Sequence, residues 1–62
     1  MKLNLYSVYD AKVEAYAVPF FCRSDGEAIR LFAFSCQDES TRLSQAPEDY
    51  VLFFLGEIGR AH

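Results

Sequence analysis

The sequence is poor in the residues that build metal sites, phosphate loops and nucleophilic catalytic pairs. It has one histidine, at position 62, two cysteines and three glycines. One histidine and the distant Cys22 and Cys36 do not give the ligand spacing of a zinc site, and a Cys–His nucleophile would need His62 to fold back. Three scattered glycines do not form a phosphate-binding loop. We therefore expect a protein that is not an enzyme, with no catalytic residue, metal, cofactor or small-molecule substrate.

Positive charge and long apolar runs are also scarce. Six basic residues against nine acidic ones give a net charge of −3, which argues against binding nucleic acid through bulk positive charge but leaves a local site open. No run approaches the ~18–20 apolar residues of a membrane span, and the first ten residues, MKLNLYSVYD, lack the apolar core of a secretory signal. We expect a soluble intracellular protein with no membrane partner.

Apolar and aromatic residues are abundant for so short a sequence. They make up 52% and 16% of its 62 residues, which is typical of a folded globular chain. The length allows one small domain, residues 1–62, with a net stability of only a few kcal/mol at roughly 0.05–0.15 kcal/mol per residue. Chains of this size often depend on self-association.

Three segments have the composition of β-strands. Residues 3–9, LNLYSVY, are rich in β-branched and aromatic residues and end at Asp10. Residues 16–22, YAVPFFC, contain Pro19, which cannot donate to a ladder and therefore predicts an edge strand or a bulge. Residues 50–58, YVLFFLGEI, give the clearest strand pattern, and the turn-rich residues 40–49 before them are expected to be irregular, with Leu43 as an anchor.

A capping box predicts one helix. In Ser24-Asp25-Gly26-Glu27 the serine hydroxyl is expected to accept from the Glu27 N–H, while the Glu27 carboxylate accepts from the Ser24 N–H. The helix should then cover about 25–37. Its i, i+3, i+4, i+7 spacing predicts a buried stripe made of Ile29, Phe32, Ala33 and Cys36.

The order of these segments, β-β-α-β, predicts an α+β fold. A right-handed crossover from the second strand through the helix to the third leaves the first strand between them, antiparallel to both. We therefore expect a three-stranded, mainly antiparallel sheet of order 2-1-3, with one helix on one face. Cys22 and Cys36 would flank a helix span of about 18 Å, too far apart for a disulfide, so both should be reduced.

The predicted strands are apolar on both sides, which is the pattern of a sheet covered twice. One helix covers one face, so the second face needs cover from the connecting loops or from another chain; we favour self-association as a dimer or a higher oligomer. The helix itself carries outward apolar residues beside Glu27 and Arg30. The residues we assign to self-association are Leu31, Phe34, Leu52 and Phe54.

Four stretches of the sequence, LYSVYDAKVEAY, VPFF, GEAIRLFAFS and APEDYVLFFLGE, extend from residue 5 to residue 57. In this order they resemble the small non-structural protein of gokushovirus-type microviruses, which are bacteriophages with single-stranded DNA genomes. The resemblance implies a non-structural protein in the cytoplasm of a bacterial host, with a suggested DNA-binding part in viral DNA synthesis or packaging, and it brings no catalytic residues. Family helices often carry smaller or polar residues where Leu31 and Phe34 stand here, and the family's acidic tail after Gly56 is altered or missing.

Single-stranded DNA binding needs exposed aromatic rings for stacking and nearby cations for phosphates. Aromatic residues on one sheet face with basic residues at its margins meet this requirement in principle, although ring-rich strands more often form core or interface. The residues we assign to such a site are Lys2, Tyr6, Lys12, Arg23, Arg30, Tyr50 and Phe54. Two hypotheses therefore stay open: an accessory protein that binds single-stranded DNA, and a protein-interaction or assembly factor that never contacts DNA.

Overall fold

The computed structural model describes residues 2–59, which form a small sheet with one long helix packed against it. The elements in chain order are β1 (Leu3–Asp10), β2 (Ala15–Tyr16), β3 (Phe20–Cys22), α1 (Asp25–Gln37), α2 (Arg42–Gln45), a single 3₁₀ turn (Pro47–Asp49) and β4 (Tyr50–Ile58). The predicted boundaries of the helix and of the last strand are confirmed, and the predicted first strand extends by one residue to Asp10.

Strand β1 is the centre of the sheet and is antiparallel to all its neighbours. β4 pairs with β1 along its whole length, from Leu3 opposite Ile58 to Asp10 opposite Tyr50. β2 and β3 pair with the two ends of β1 along the other edge. The predicted second strand corresponds to β2 and β3, and the predicted third strand corresponds to β4. The predicted α+β fold is therefore confirmed, and so is the predicted order, in which the first strand lies between the second and the third.

The predicted second strand is broken into β2 and β3. Residues 17–19 leave the ladder between them, although the Ala17 N–H still donates to the Val8 carbonyl at 2.8 Å. Pro19 has no N–H to offer β1, which explains why pairing stops before it and resumes at Phe20. This edge of the sheet is therefore short and interrupted.

Strand β4 contains a β-bulge near its C-terminal end. Leu5 lies opposite Gly56 but Tyr6 lies opposite Phe54, so Leu55 is an extra residue in β4. Gly56 has φ +156°, a conformation that side chains rarely adopt, which explains why a glycine stands next to the bulge. The regular part of β4 therefore runs from Tyr50 to Phe54.

The helix cap is confirmed in one half and altered in the other. The Glu27 N–H donates to the Ser24 hydroxyl at 3.2 Å, as predicted. The Glu27 carboxylate, however, accepts from the backbone N–H of Arg23 at 2.7 Å and not from that of Ser24. The carboxylate still satisfies a free backbone donor at the helix entrance, one residue earlier than the standard capping box.

The buried face of α1 differs from the predicted stripe. Ala28 is fully buried, whereas Ile29 is 58% exposed and Ala33 is exposed; Phe32 and Cys36 are half-buried. The helix residues that face the sheet start with Asp25, whose carboxylate contacts Tyr6, and continue with Ala28. The helix is therefore rotated about its own axis by about one residue position relative to the prediction. The assumption that the larger Ile29 would point inward was wrong.

The buried apolar core of the described residues is small. It consists of Tyr6, Cys22 and Ala28, with Phe20 and Leu52 packed against it. Two of these three residues are small, which lets the helix lie close to the sheet. In residues 40–49, expected to be irregular, the chain forms α2 and the 3₁₀ turn, and Leu43 is half-buried as the predicted anchor.

Substitutions on the two sides of α1 test which face is buried. We expect Ala28→Leu to lower the free energy of unfolding by about 1–3 kcal/mol, because the added methylene groups have no space between helix and sheet. Ala33→Leu is the matched control, and its effect should stay within about 0.5 kcal/mol because Ala33 is exposed. Urea unfolding followed by circular dichroism measures both; equal destabilisation by the two substitutions would contradict the helix orientation.

Candidate interaction surface

Much of the apolar surface of this chain is left uncovered. Among the described residues, twelve large apolar side chains are 39–86% exposed. A surface of this extent, with so few apolar residues buried, is typical of proteins that contact another molecule. These side chains are Val13, Tyr16, Val18, Phe21, Ile29, Leu31, Phe34, Val51, Phe53, Phe54, Leu55 and Ile58.

The strand pairing assigns the exposed side chains to the two faces of the sheet. Side chains alternate along a strand, and Tyr6 points toward the helix because its hydroxyl contacts Asp25. Leu5, Ser7 and Tyr9 therefore point to the opposite side, which α1 does not cover. Their neighbours in register extend what we call the open sheet face, which consists of Leu3, Leu5, Ser7, Tyr9, Tyr16, Phe21, Val51, Phe53 and Ile58.

An aromatic cluster lies at the centre of the open sheet face. The ring centroids of Tyr9 and Tyr16 are 4.9 Å apart, those of Tyr16 and Phe53 5.8 Å, and those of Tyr9 and Phe53 6.1 Å. Ser7 next to it is fully buried, and its hydroxyl donates to the Ala17 carbonyl at 2.8 Å. The Ser7 hydroxyl is thus already satisfied, and what remains accessible around it is mainly apolar and aromatic.

On the helix side, Tyr6 joins the central strand to the start of the helix. Tyr6 is 2% exposed. The centroid of its ring lies 5.9 Å from that of Phe20 and 5.7 Å from that of Phe54. Its hydroxyl donates to the Asp25 carboxylate and accepts from the Asn4 side-chain amide at 2.9 Å. Burial, and then the neighbouring Asp25, raise the pKa of Tyr6.

The helix is too narrow to cover the whole of its own side of the sheet. A cleft of about 570 Å³ lies between α1, α2 and the β1–β2 turn, with Val8, Phe20 and Phe32 in its lining. A second, smaller cleft of about 180 Å³ lies on the β4 side of the helix. At the mouth of the larger cleft, burial and then the negative charge of Asp10 raise the pKa of Tyr50.

The basic residues assigned to DNA binding are brought together only in part. Lys2 Nζ lies 3.8 Å from Glu57 Oε1 at one end of β1. Lys12 lies in the turn that follows the other end of β1, and the eight residues of this strand span roughly 25 Å. Arg23 follows Cys22, which pairs with Asn4, so Arg23 lies at the same end of the sheet as Lys2, and Arg30 is exposed on the helix. Among the described residues, Lys2 and Arg23 therefore share one end of the sheet, and Lys12 lies at the other.

The aromatic residues assigned to DNA binding differ in accessibility. Tyr6 is buried, so its ring cannot stack on a base, and including it in that site was wrong for this reason. Tyr50 is half-buried, and Phe54 is 54% exposed on the helix side. The aromatic cluster on the open sheet face was not predicted as a site, although the alternation of strand residues combined with the correct register would have identified it.

The residues assigned to self-association lie on the helix and on the helix side of β4. Leu31 is 47% exposed, Phe34 60% and Phe54 54%. Leu52 is half-buried because it packs against the small core. The structure therefore leaves three of the four accessible, and it adds Ile29, which sequence reasoning had placed inside.

Cys22 and Cys36 are both free thiols. Cys22 is buried, and burial followed by the charge of Glu27 raises the pKa of its thiol. Within residues 2–59 no group of three or more His, Cys, Asp or Glu side chains is placed to hold a metal ion. No helix in this part of the chain has the length and apolar character needed to cross a membrane. His62, considered above as a nucleophile partner, lies outside the described residues.

The family model described as Phage ORF5 protein matches residues 3–58 of the sequence. The match covers all the strands and helices described above. No curated protein and no solved structure matches the chain. The match agrees with the resemblance to phage proteins noted in the sequence, while the narrower resemblance to gokushovirus-type microviruses stays a prediction.

The raised pKa values of Tyr6, Tyr50 and Cys22 predict loss of stability at alkaline pH. Each group is neutral when protonated, and the fold favours that form. Its contribution is complete below the pKa of the unfolded chain, about 9 for the thiol and about 10 for the phenols, and is lost as the pH rises further. The urea midpoint should therefore fall above pH 9–10.

The substitution Tyr6→Phe separates the contribution of the Tyr6 hydroxyl from the general unfolding of the protein at alkaline pH. At pH 7 the variant should be less stable, with a melting temperature lowered by about 5–10 °C, because the hydrogen bond to Asp25 is lost. Between pH 10 and 11 its urea midpoint should fall less than that of the unsubstituted protein. Tyr16→Phe removes an exposed hydroxyl and should behave as the unsubstituted protein does; identical pH profiles for all three would contradict the role given to Tyr6.

Proposed function

This chain belongs to the Phage ORF5 protein family, and we propose that it is a non-enzymatic phage accessory protein that self-associates. In this proposal it acts in the cytoplasm of the bacterial host by contacting other macromolecules, in the synthesis or packaging of viral DNA. The role in viral DNA rests on the resemblance to the non-structural proteins of single-stranded DNA phages. The self-association rests on the structure's surface.

The observation that carries self-association is the imbalance between buried and exposed apolar residues. Within residues 2–59, three apolar residues, Tyr6, Cys22 and Ala28, are buried, against twelve large ones that are exposed. Burying a Phe, Leu, Ile or Val side chain contributes about 1.5–3 kcal/mol. The whole stability of a chain of this length is a few kcal/mol. Covering even two of these side chains with a second copy therefore contributes a free energy as large as the stability of the single chain.

The dimensions of the single chain support the same proposal. Its radius of gyration is 12.6 Å, against about 10.6 Å for a compact domain of this length. Its accessible surface is 4838 Å², against about 4,100 Å² expected for a monomeric protein of its mass. The single chain is therefore more extended, and exposes roughly 700 Å² more surface, than a compact monomer of its mass.

Mass in solution tests this proposal. We expect sedimentation equilibrium or light scattering to give a dimer or a higher oligomer at micromolar concentrations, because monomers would leave the exposed apolar side chains in water. Dilution should shift the equilibrium toward the 7.1 kDa monomer. A protein that stays monomeric at several hundred micromolar would contradict self-association.

Binding of single-stranded DNA is the second candidate function, and the aromatic cluster on the open sheet face favours it. Tyr9, Tyr16 and Phe53 place three adjacent rings on this face, inclined to one another by 56–88°, and stacking of a base on an exposed ring contributes about 1–3 kcal/mol without requiring a particular sequence. The acidic net charge and the dispersed cations weigh against it. We therefore place it after protein contact.

A labelled oligonucleotide separates the two functions. If the aromatic cluster on the open sheet face binds DNA, fluorescence anisotropy should rise on titration, the affinity should fall with added salt, and Tyr16→Ala should weaken binding by about tenfold. Phe34→Ala removes an equally exposed ring from the helix and is the matched control. Absence of binding at micromolar protein and low salt would leave the protein-contact function alone.

A further inference from the structure

The two edges of the sheet are built differently. One edge consists of β2 and β3, two and three residues long, separated by residues 17–19 with Pro19 among them. The other edge is β4, a continuous strand of nine residues. Among the described residues, β4 pairs with β1 and with no further strand. Its outer side therefore carries a row of backbone N–H and C=O groups available to another strand.

Strand β4 has, over most of its length, none of the features that usually prevent pairing at an exposed edge. Such edges carry lysine, proline, inward-pointing charge, bulges or very short strands. β4 is YVLFFLGEI, with Glu57 as its one charged residue, and that carboxylate lies 3.8 Å from Lys2. The bulge at Leu55 is near its C-terminal end and leaves Tyr50–Phe54 regular.

We propose that β4 is the self-association element, pairing antiparallel with β4 of a second copy of this chain about a twofold axis. The two sheets then join into one, with β1 and β4 of each copy at its centre. The proposal rests on the self-association proposed above and names the surface that mediates it. An isologous contact of this kind closes as a dimer.

The side chains favour one register, with Leu52 of the two copies opposite each other. Val51 then lies opposite Phe53 of the second copy on the open sheet face, and Tyr50 opposite Phe54 on the helix side. Each is an aromatic–aliphatic or aromatic–aromatic pair of the kind that stabilises antiparallel sheets. A register centred on Phe54 would place Val51 opposite the second copy's Glu57 and would include the bulge, so it is disfavoured.

Edge pairing also covers side chains that the helix leaves exposed. The twofold axis is perpendicular to the sheet, so both α1 helices lie on the same side, next to the joined β4 strands. Ile29 and Phe54, 58% and 54% exposed in one copy, lie along the smaller cleft between α1 and β4. In the dimer this cleft faces its counterpart, so the two pairs of side chains can pack together.

The buried area suits a reversible dimer. Half-exposed side chains on both sides of β4, together with the backbone edge, would remove on the order of 1,000 Å² from water in the two copies together. That is the low end for a specific interface and predicts dissociation at low concentration. The rest of the open sheet face, with Tyr16 and Phe21, would stay accessible for the partners considered above.

Lysine substitutions distinguish edge pairing from stacking of two open sheet faces. Val51→Lys puts charge at the centre of the paired strands, and we expect the dimer dissociation constant to rise by at least roughly a hundredfold. Phe21→Lys puts the same charge on the open sheet face away from β4 and should leave the dimer intact. Val18→Lys, on the opposite edge and 86% exposed, is the matched valine control and should also stay dimeric.

Sedimentation velocity over a hundredfold concentration range reads out all four proteins, with circular dichroism confirming that each is folded. Edge pairing is overturned if folded V51K remains a dimer. It is also overturned if F21K becomes monomeric as readily as V51K does, because face stacking would then explain both. A monomeric unsubstituted protein would instead refute the proposed self-association itself.

Disulfide cross-linking tests the register without relying on a destabilising charge. In a Cys22→Ala, Cys36→Ser background, a mixture of Val51→Cys and Phe53→Cys proteins should cross-link between copies, because directly opposite residues have Cβ atoms about 4.5–5.5 Å apart. Either single-cysteine protein alone should cross-link at least fivefold less, since its cysteines are diagonal and about 7–8 Å apart. Equal yields would overturn the Leu52-centred register.

Discussion

The contact between Tyr6 and Asp25 determines how the long helix sits on the sheet. The Tyr6 ring fills the centre of the helix side, and its hydroxyl donates to the carboxylate in the first turn of α1. With Asp25 held there, Ala28 faces the sheet and Ile29 does not. The core is consequently built from one large ring and two small residues, and most of the remaining apolar side chains lie outside it.

These uncovered apolar side chains determine the character of the protein's surface. A single helix leaves clefts on both of its sides and leaves the opposite face of the sheet open, where the cluster of Tyr9, Tyr16 and Phe53 lies. A chain with such a small core has little stability in reserve. Membership of a phage protein family, dispersed cations and an apolar edge strand together favour a protein that works by assembly, with DNA contact as the second candidate.

Local patterns predicted the elements and their order well. Helix α1 begins where the Ser24 cap places it, and β4 runs from Tyr50 to Ile58, because strand composition and capping are properties of neighbouring residues. Long-range features were not predictable in this way. The rotation of α1 depends on a hydrogen bond between residues 19 apart in the sequence, and the open sheet face depends on pairing register, including the bulge at Leu55.

If a second copy completes the fold, the stability of this protein must depend on its concentration, because association adds stability by mass action. We expect the urea midpoint to rise steadily as the protein concentration is raised a hundredfold from the low micromolar range. For a dimer that dissociates as it unfolds, that increase in concentration contributes about 2.7 kcal/mol. A midpoint that does not change over this range would show that the single chain is complete by itself.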